Sequence, residues 1–418
     1  MIDNGEAPVH AGRPGAGVPR DRVAGRLTED TYAAADARLS EADARVASRY
    51  PGEPAGRQPV HTVYVPAHRY GPGLLEDWGA QAGAIFAERG PELGLDEAIA
   101  SRVRRKLAVE PIEDLRIDFE DGYGHPGDEA EDAMAFECGR TFAGAGKPPF
   151  AGIRFKSFEP ATRRRGIRTL DAFLSGLLEN GDLPPGFVVT LPKVTAVEQV
   201  AVAAEILATL EKAYGLAERA LRFEVQIETS QSIVDADGMV AVARIIQAAQ
   251  GRCSGLHYGT YDYSAGLGIA AAYQRMDHPA ADFAKELMQV SAAGTGVRLS
   301  DGSTNRLPVG DAVLEGWREH LRLVRRSLER GFYQGWDLHP HQLPTRFAAT
   351  YAFFREGLPS AAARLRDYAN EADSGVLDEP ATAQALAAFL CRGLDCGALD
   401  EAEMPMSRAR LDAYARRA

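Results

Sequence analysis

Eight short strand-like runs, most of them separated by longer helical stretches, constrain this chain more than any other feature. They are HTVYVP from His61, DLRIDFED from Asp114, AGIRFKSF from Ala151 and FVVTLPKV from Phe187. The second four are RFEVQIET from Arg222, GLHYGT from Gly255, GVRLS from Gly296 and GWDLHP from Gly335. Strands alternating with helices build a parallel sheet, and eight is the number that closes a barrel. An open, doubly wound sheet is the alternative. It lacks support, because no GxGxxG opens a helix and Gly259, Gly266 and Gly268 have the wrong spacing.

The patterns inside the strands decide between the two. Phe223, Val225 and Ile227 point one way along RFEVQIE, and Glu224, Gln226 and Glu228 point the other. Leu115, Ile117 and Phe119 alternate in the same way with Arg116, Asp118 and Glu120. A parallel sheet buried on both faces favours continuous apolar runs. Alternation suits strands with helices outside and a polar barrel interior. The expected fold class is therefore α/β, a TIM-type (β/α)8 barrel.

The barrel is expected over residues 59–345. Ahead of it, residues 1–27 are rich in Gly, Pro, Ala and Arg and read as a disordered tail. Residues 28–58 read as an Ala-rich helix and a Pro/Gly linker. Residues 346–418 read as a C-terminal helical lid segment. One helix is well signalled within the barrel. Thr195 is the expected N-cap with Glu198 as its capping-box partner, Val200 to Tyr214 form the apolar face, and Gly215 ends it.

Composition excludes several functions. Among 418 residues, Asp and Glu exceed Lys and Arg to give a net charge of −12, so a phosphate-backbone binder is not expected. No apolar run approaches a bilayer span, and MIDNGEAPVHAGRPGAGVPR lacks a secretory apolar region. A cytoplasmic protein with no membrane partner is expected. Four cysteines are too few for a disulfide scaffold and read as buried thiols. The acid-rich DFEDGYGHPGDEAED does not fit an EF-hand, because its Gly comes too soon. His339 and His341 sit two apart, so their side chains are expected on opposite sides. RRR at 163–165 and RVRRK at 102–106 read as solvated helix faces, and no GxSxG elbow is present.

In such barrels the active site lies at the C-terminal ends of the strands. The groups placed there are Glu120, Asp121, Arg154, Lys156, Lys193, Glu228, Asp262 and His339. Glu228 and Asp262 leave consecutive strands and can converge. Two carboxylates plus waters suit Mg2+. Arg154 can hold a substrate oxygen opposite such a metal, or it can pair with a carboxylate and brace the interior.

Several segments resemble the citrate lyase β-subunit and HpcH/HpaI aldolase family. They are VYVPAHR, IDFEDGYG, IRFK, LPKV, VQIETSQSIVDADG, YGTYDYSAGLG, WDLHPHQL and SGVLDEPATAQALAAFL, in that order from about residue 60 to about 395. The IDFED segment is most similar to the citryl- and malyl-CoA lyase branch. Departures are Ala67 and Tyr70 in the first motif, and the lack of an acidic residue before Asp262 in YGTYDY.

The resemblance implies Glu228 and Asp262 as ligands of Mg2+, with Mn2+ as a substitute, and Arg154 on the substrate's oxygens. It implies catalytic support from Glu120 and Asp121, and substrate-facing or peripheral places for Arg69, Lys193 and His339. Asp378 matches a lid residue that reaches a neighbouring subunit, although a helix cap before Pro380 explains it equally well. The implied activity is Mg2+-dependent carbon–carbon lysis, or the reverse condensation, of a β-hydroxyacyl-CoA or a hydroxy-oxo acid. The alternatives are a malyl-CoA-type thioesterase and a catalytically silent binding barrel. The implied partners are a small organic acid or acyl-CoA and further copies of the chain, as a trimer or hexamer.

Overall fold

The computed structural model describes residues 25–54, 56–144, 146–179, 181–370 and 379–416. Most of the N-terminal tail, residues 1–24, lies outside the described residues. The chain divides into Met1–Tyr50 and Pro51–Ala418. The first unit holds α1 (Glu29–Arg49), a 21-residue helix with no buried side chain.

The second unit is the expected barrel. Its strands are β1 (His61–Pro66), β2 (Asp114–Asp118), β3 (Phe150–Arg154) and β4 (Val188–Leu191). They continue with β5 (Arg222–Ile227), β6 (Cys253–Tyr258), β7 (Arg298–Ser300) and β8 (Gly335–Asp337). All pairings are parallel, in the order β7-β6-β5-β4-β3-β2-β1-β8. The seam between β7 and β8 is nearly closed by a Ser300–Gln334 bridge, and Asp301 N–H donates to the Gln334 carbonyl at 2.8 Å.

The connecting helices begin with α2 (Leu74–Arg89) and α3 (Glu97–Val109), followed by α4 (Asp128–Gly144) and α5 (Arg163–Leu178). Next come α6 (Val197–Tyr214), α7 (Ala241–Ala248), α8 (Thr260–Gly266), α9 (Pro279–Ala292) and α10 (Val313–Glu329). After β8, α11 (Leu343–Ala369) packs against α10 and α3, in the outer layer of the barrel. Then α12 (Pro380–Asp395) and α13 (Arg408–Arg416) follow, with Phe389 of α12 ring-to-ring on Phe354 of α11 at 5.0 Å.

Strand alternation sorts the two faces as expected. Leu115, Ile117, Val189, Leu191, Phe223, Val225, Ile227 and Leu256 are buried in the apolar layer toward the helices. The inward face is polar, and Arg116 is paired at its centre. Arg116 binds Asp114, and it donates from Nε and Nη2 to Glu224 at 3.0 and 2.8 Å. Charges removed from water persist only when they are matched in this way.

One local expectation fails. The N-cap of α6 is Ala196, not Thr195, and Glu198 takes no part in it. Gln199 instead turns back, its Oε1 accepting from Thr195 N–H at 2.8 Å and Ala196 N–H at 3.3 Å. An amide side chain one residue further on thus satisfies the free donors that the Thr–Glu pair was expected to satisfy. The end is as expected: Gly215 closes the helix at φ 66°. All four cysteines are buried and free.

Candidate active site

The site begins with a carboxylate at the end of β2. Asp118 accepts the N–H groups of Glu120 and Gly122, each at 3.0 Å, so the following loop folds over it. A Cβ on Gly122 would come within 2.9 Å of Asp118 Oδ2, which is why glycine suits that position. The sheet register puts Arg154 of β3 beside Asp118. Its guanidinium forks onto Asp118 at 2.7 and 2.8 Å and lies 4.9 Å above the Tyr64 ring. Its Nη1 stands 3.2 Å from Glu120 Oε2 and donates to Gln226 Oε1 at 3.5 Å.

Beyond β4, Lys193 is held at φ 49°, a left-handed conformation that costs a non-glycine residue about 1–2 kcal/mol. That turn aims both ends of the residue into the site. Its N–H donates to Glu228 Oε1 at 2.7 Å, just past β5. Its ammonium meets Glu120, both Asp121 oxygens at 2.9 and 3.0 Å, and Asp262 Oδ2 at 3.6 Å. Asp262 is exposed in the first turn of α8. Glu228 is buried, and Gly259 makes room for it: a Cβ there would approach Glu228 Oε2 to 2.6 Å.

The electrostatics follow from this crowding. Burial, with the nearby charges of Glu120 and Asp262, pushes Glu228 up to about 8, against the pull of Lys193 and Arg154. Burial also raises Glu120, reinforced by Asp121. Burial alone would lower Lys193, but Glu120 and Glu228 overcome it and hold the ammonium above its ordinary value. A shifted carboxyl among converging charges at strand exits is the pattern of a functional site.

Not every expected group arrives there. Lys156 turns away, donating to the Phe119 carbonyl at 2.8 Å and to Glu131 of α4 at 2.6 Å. β3 ends at Arg154, so strand alternation no longer governs Lys156. Arg69 is exposed on the turn after β1. His339 Nδ1 accepts from His341 N–H at 3.1 Å, and burial lowers its pKa. The two histidine rings do not point apart as expected. They meet edge-on at 4.6 Å, with His341 Nδ1 taken up by the Pro308 carbonyl at 2.9 Å. Asp378 lies outside the described residues, and α12 begins after Glu379 as its N-cap. Asp118 and Gly259 are not among the groups expected at the site, and Lys193, expected at its edge, stands at its centre. Asp118 shares the inward parity of Arg116, which was the one signal available.

A family model described as a domain of unknown function, DUF6986, matches residues 39–418. The chain belongs to the DUF6986 family. No curated protein matches its sequence. Among solved structures, the DUF6986 chain is similar to a citrate lyase from Burkholderia xenovorans. The identity is 17%, 86% of this chain and 98% of that one are covered, and the TM-score is 0.56. It is also similar to a malate synthase from Haloferax volcanii in a lead(II) complex, at 16% identity, 82% and 93% coverage and TM-score 0.50. At these identities the likeness establishes a shared fold, the one expected from the citrate lyase-like motifs.

The DUF6986 site can be tested against the metal that its motifs imply. Mg2+ prefers oxygen ligands and is usually held by one or two carboxylates with several waters. Glu228 and Asp262 are ligands of that kind. Burial raises Glu228 first and the charges of Glu120 and Asp262 add to it, so a cation beside this carboxyl would be favoured. Among the described residues no group of three or more His, Cys, Asp or Glu is arranged as a metal cage. Glu228 and Asp262, oxygen donors following the adjacent strands β5 and β6, fit a hydrated, two-carboxylate site. No helix among the described residues is long and apolar enough to cross a membrane.

Proposed function

We propose that this protein is a Mg2+-dependent carbon–carbon lyase that cleaves, or in reverse forms, a β-hydroxyacyl-CoA or a hydroxy-oxo acid. The observation that carries the reading is the buried Glu228 carboxyl, pushed up to about 8 beside Asp262, Glu120 and Asp121 at the strand exits, with Arg154 fixed alongside. The motif resemblance and the fold shared with a citrate lyase and a malate synthase point the same way.

Cleavage of such a substrate leaves negative charge on an enolate oxygen, which needs positive groups already in place. Mg2+ bound by Glu228 and Asp262 would supply Lewis-acid polarisation. Arg154 is braced by Asp118 before substrate arrives, so its charge needs no reorganisation during the reaction. Lys193 holds Glu120, Asp121 and Glu228 in place through its two ends. Asp378 is the proposed base for the hydroxyl proton, acting from a lid of a neighbouring copy in a trimer or hexamer.

The test is incubation with Mg2+ and a panel of malyl-CoA, citramalyl-CoA, citryl-CoA and free 4-hydroxy-2-oxo acids. Release of glyoxylate, pyruvate or oxaloacetate that stops on chelation supports the lyase. Free CoA with no 2-oxo product from any of them would replace it with a thioesterase.

A further inference from the structure

At the opposite end of the barrel, where the strands begin, the interior opens into a cavity of about 540 Å3. That size is in the range of small-molecule pockets. Arg222 opens β5 and Arg298 opens β7, and both line the cavity. Register and pleat put them on the inward face: Arg222 shares the parity of Glu224, and Arg298 pairs with Gly255.

Neither guanidinium has a carboxylate partner among the described residues. Arg298 donates to the carbonyls of Arg57 and Gly56 at 2.6 and 2.9 Å, and Arg222 donates to that of Cys253 at 3.5 Å. Burial, and next the charge of Arg222, hold Arg298 below its ordinary value. Two carboxylates do reach the floor of the cavity, Asp114 and Glu224, but both are turned onto Arg116.

The inner wall carries a second irregularity. His257 is buried, with Nε2 3.0 Å from Glu224 Oε2, and its Nδ1 has no hydrogen-bond partner. Leaving a buried polar atom unpaired is unfavourable. The ring edge toward the cavity is the Nε2 edge, left clear by Gly255, where a Cβ would lie 3.4 Å from His257 Nε2.

We infer that this mouth is a second ligand site that takes a small dianion, a dicarboxylate or a phosphate, between Arg222 and Arg298. Guanidinium forks match carboxylate and phosphate oxygens two at a time. The site is separate from the candidate active site. Glu228 lies six residues along the chain from Arg222, just past the end of β5, about 20 Å at the usual strand rise.

The experiment is calorimetric titration of the full chain at low ionic strength with malonate, citrate, inorganic phosphate and pyrophosphate. Binding by wild type is expected to weaken at least tenfold in Arg222→Gln and in Arg298→Gln, and to vanish in Gly255→Val. Arg222 is exposed, so its variant tests the site even if the Gly255 plug disturbs folding. Binding restricted to the carboxylates or to the phosphates assigns the class. No binding of any of the four by wild type overturns the inference, as does unchanged binding in both arginine variants. A parallel Mg2+ titration is expected to be the same in wild type and Arg222→Gln, which keeps this test apart from the lyase proposal.

Discussion

Burying Glu228 beside Glu120 and Asp262 makes the metal-free protein hold a proton there at neutral pH. The carboxyl rises from an ordinary value of 4.5 to about 8 on folding. A group raised in this way contributes stability that is complete below about 4.5 and is lost as pH climbs through about 8. The slope in that window is at most about 1.4 kcal/mol per pH unit. Urea midpoints taken between pH 5 and 8 without metal are expected to fall more steeply for wild type than for Glu228→Gln, and parallel curves would remove the shifted proton. Arg154 gives a second test. Arg154→Ala leaves Asp118 buried without its partner, an expected loss of about 3–5 kcal/mol in urea unfolding. Arg154→Lys keeps the charge but loses the fork, and turnover is expected to drop on the order of 10²-fold. Full activity in the lysine variant would show that net charge suffices. The sequence alone left Arg154 open between binding substrate and bracing the interior. The bond to Asp118 could not be read from it, because that bond depends on which residues of β2 and β3 lie side by side.

Helices α4 and α5 follow the strands that carry Glu120 and Arg154, and they cross at two glycines. A Cβ on Gly139 would run into the Phe173 carbonyl and sit 2.7 Å from Leu177 N, and a Cβ on Gly176 would run into the Phe136 carbonyl. Gly176→Ala is therefore expected to pry the helices apart and cost about 1–3 kcal/mol by overpacking, measured by thermal or urea unfolding. An unchanged midpoint would mean that the crossing tolerates a methyl group. All eight strands were legible, since inward polar and outward apolar residues alternate in the longer ones and helices separate them. Their ends were not. Lys156 shares the parity of Arg154 but leaves the barrel, because the hydrogen-bond ladder stops one residue after Ile153. The start of α6 moved by one residue because Gln199 competes for donors that Thr195 and Glu198 were expected to satisfy.

At the scale of the whole molecule, the charges inside the barrel divide into three groups. Arg116 pairs with Asp114 and Glu224 in the middle, where the His257 ring also meets Glu224. An excess of carboxylates collects at the strand exits, and arginines with no carboxylate partner among the described residues stand at the strand entrances. The middle was readable from the alternation in β2 and β5. The entrances were not, because nothing local marks an arginine that lacks a carboxylate partner. The proposed shared active site adds a prediction about assembly. Inactive Glu228→Ala and Asp378→Ala chains, mixed at random in one oligomer, would give about a quarter of sites an intact metal centre and an intact lid. Recovery of a comparable fraction of wild-type rate is expected from co-expressed chains and not from either alone. No recovery in a confirmed mixed oligomer would make Asp378 a residue of its own barrel.

Magnesium binding at the strand exits is what the proposed chemistry depends on, and calorimetry measures it without knowledge of the substrate. Wild-type protein titrated with Mg2+ at pH 7 is expected to bind one ion, and Glu228→Gln and Asp262→Asn are each expected to weaken that binding at least tenfold while unfolding cooperatively as wild type does. Mg2+ binding that is the same in both variants as in wild type, or absent from wild type, would contradict the assignment of these two carboxylates.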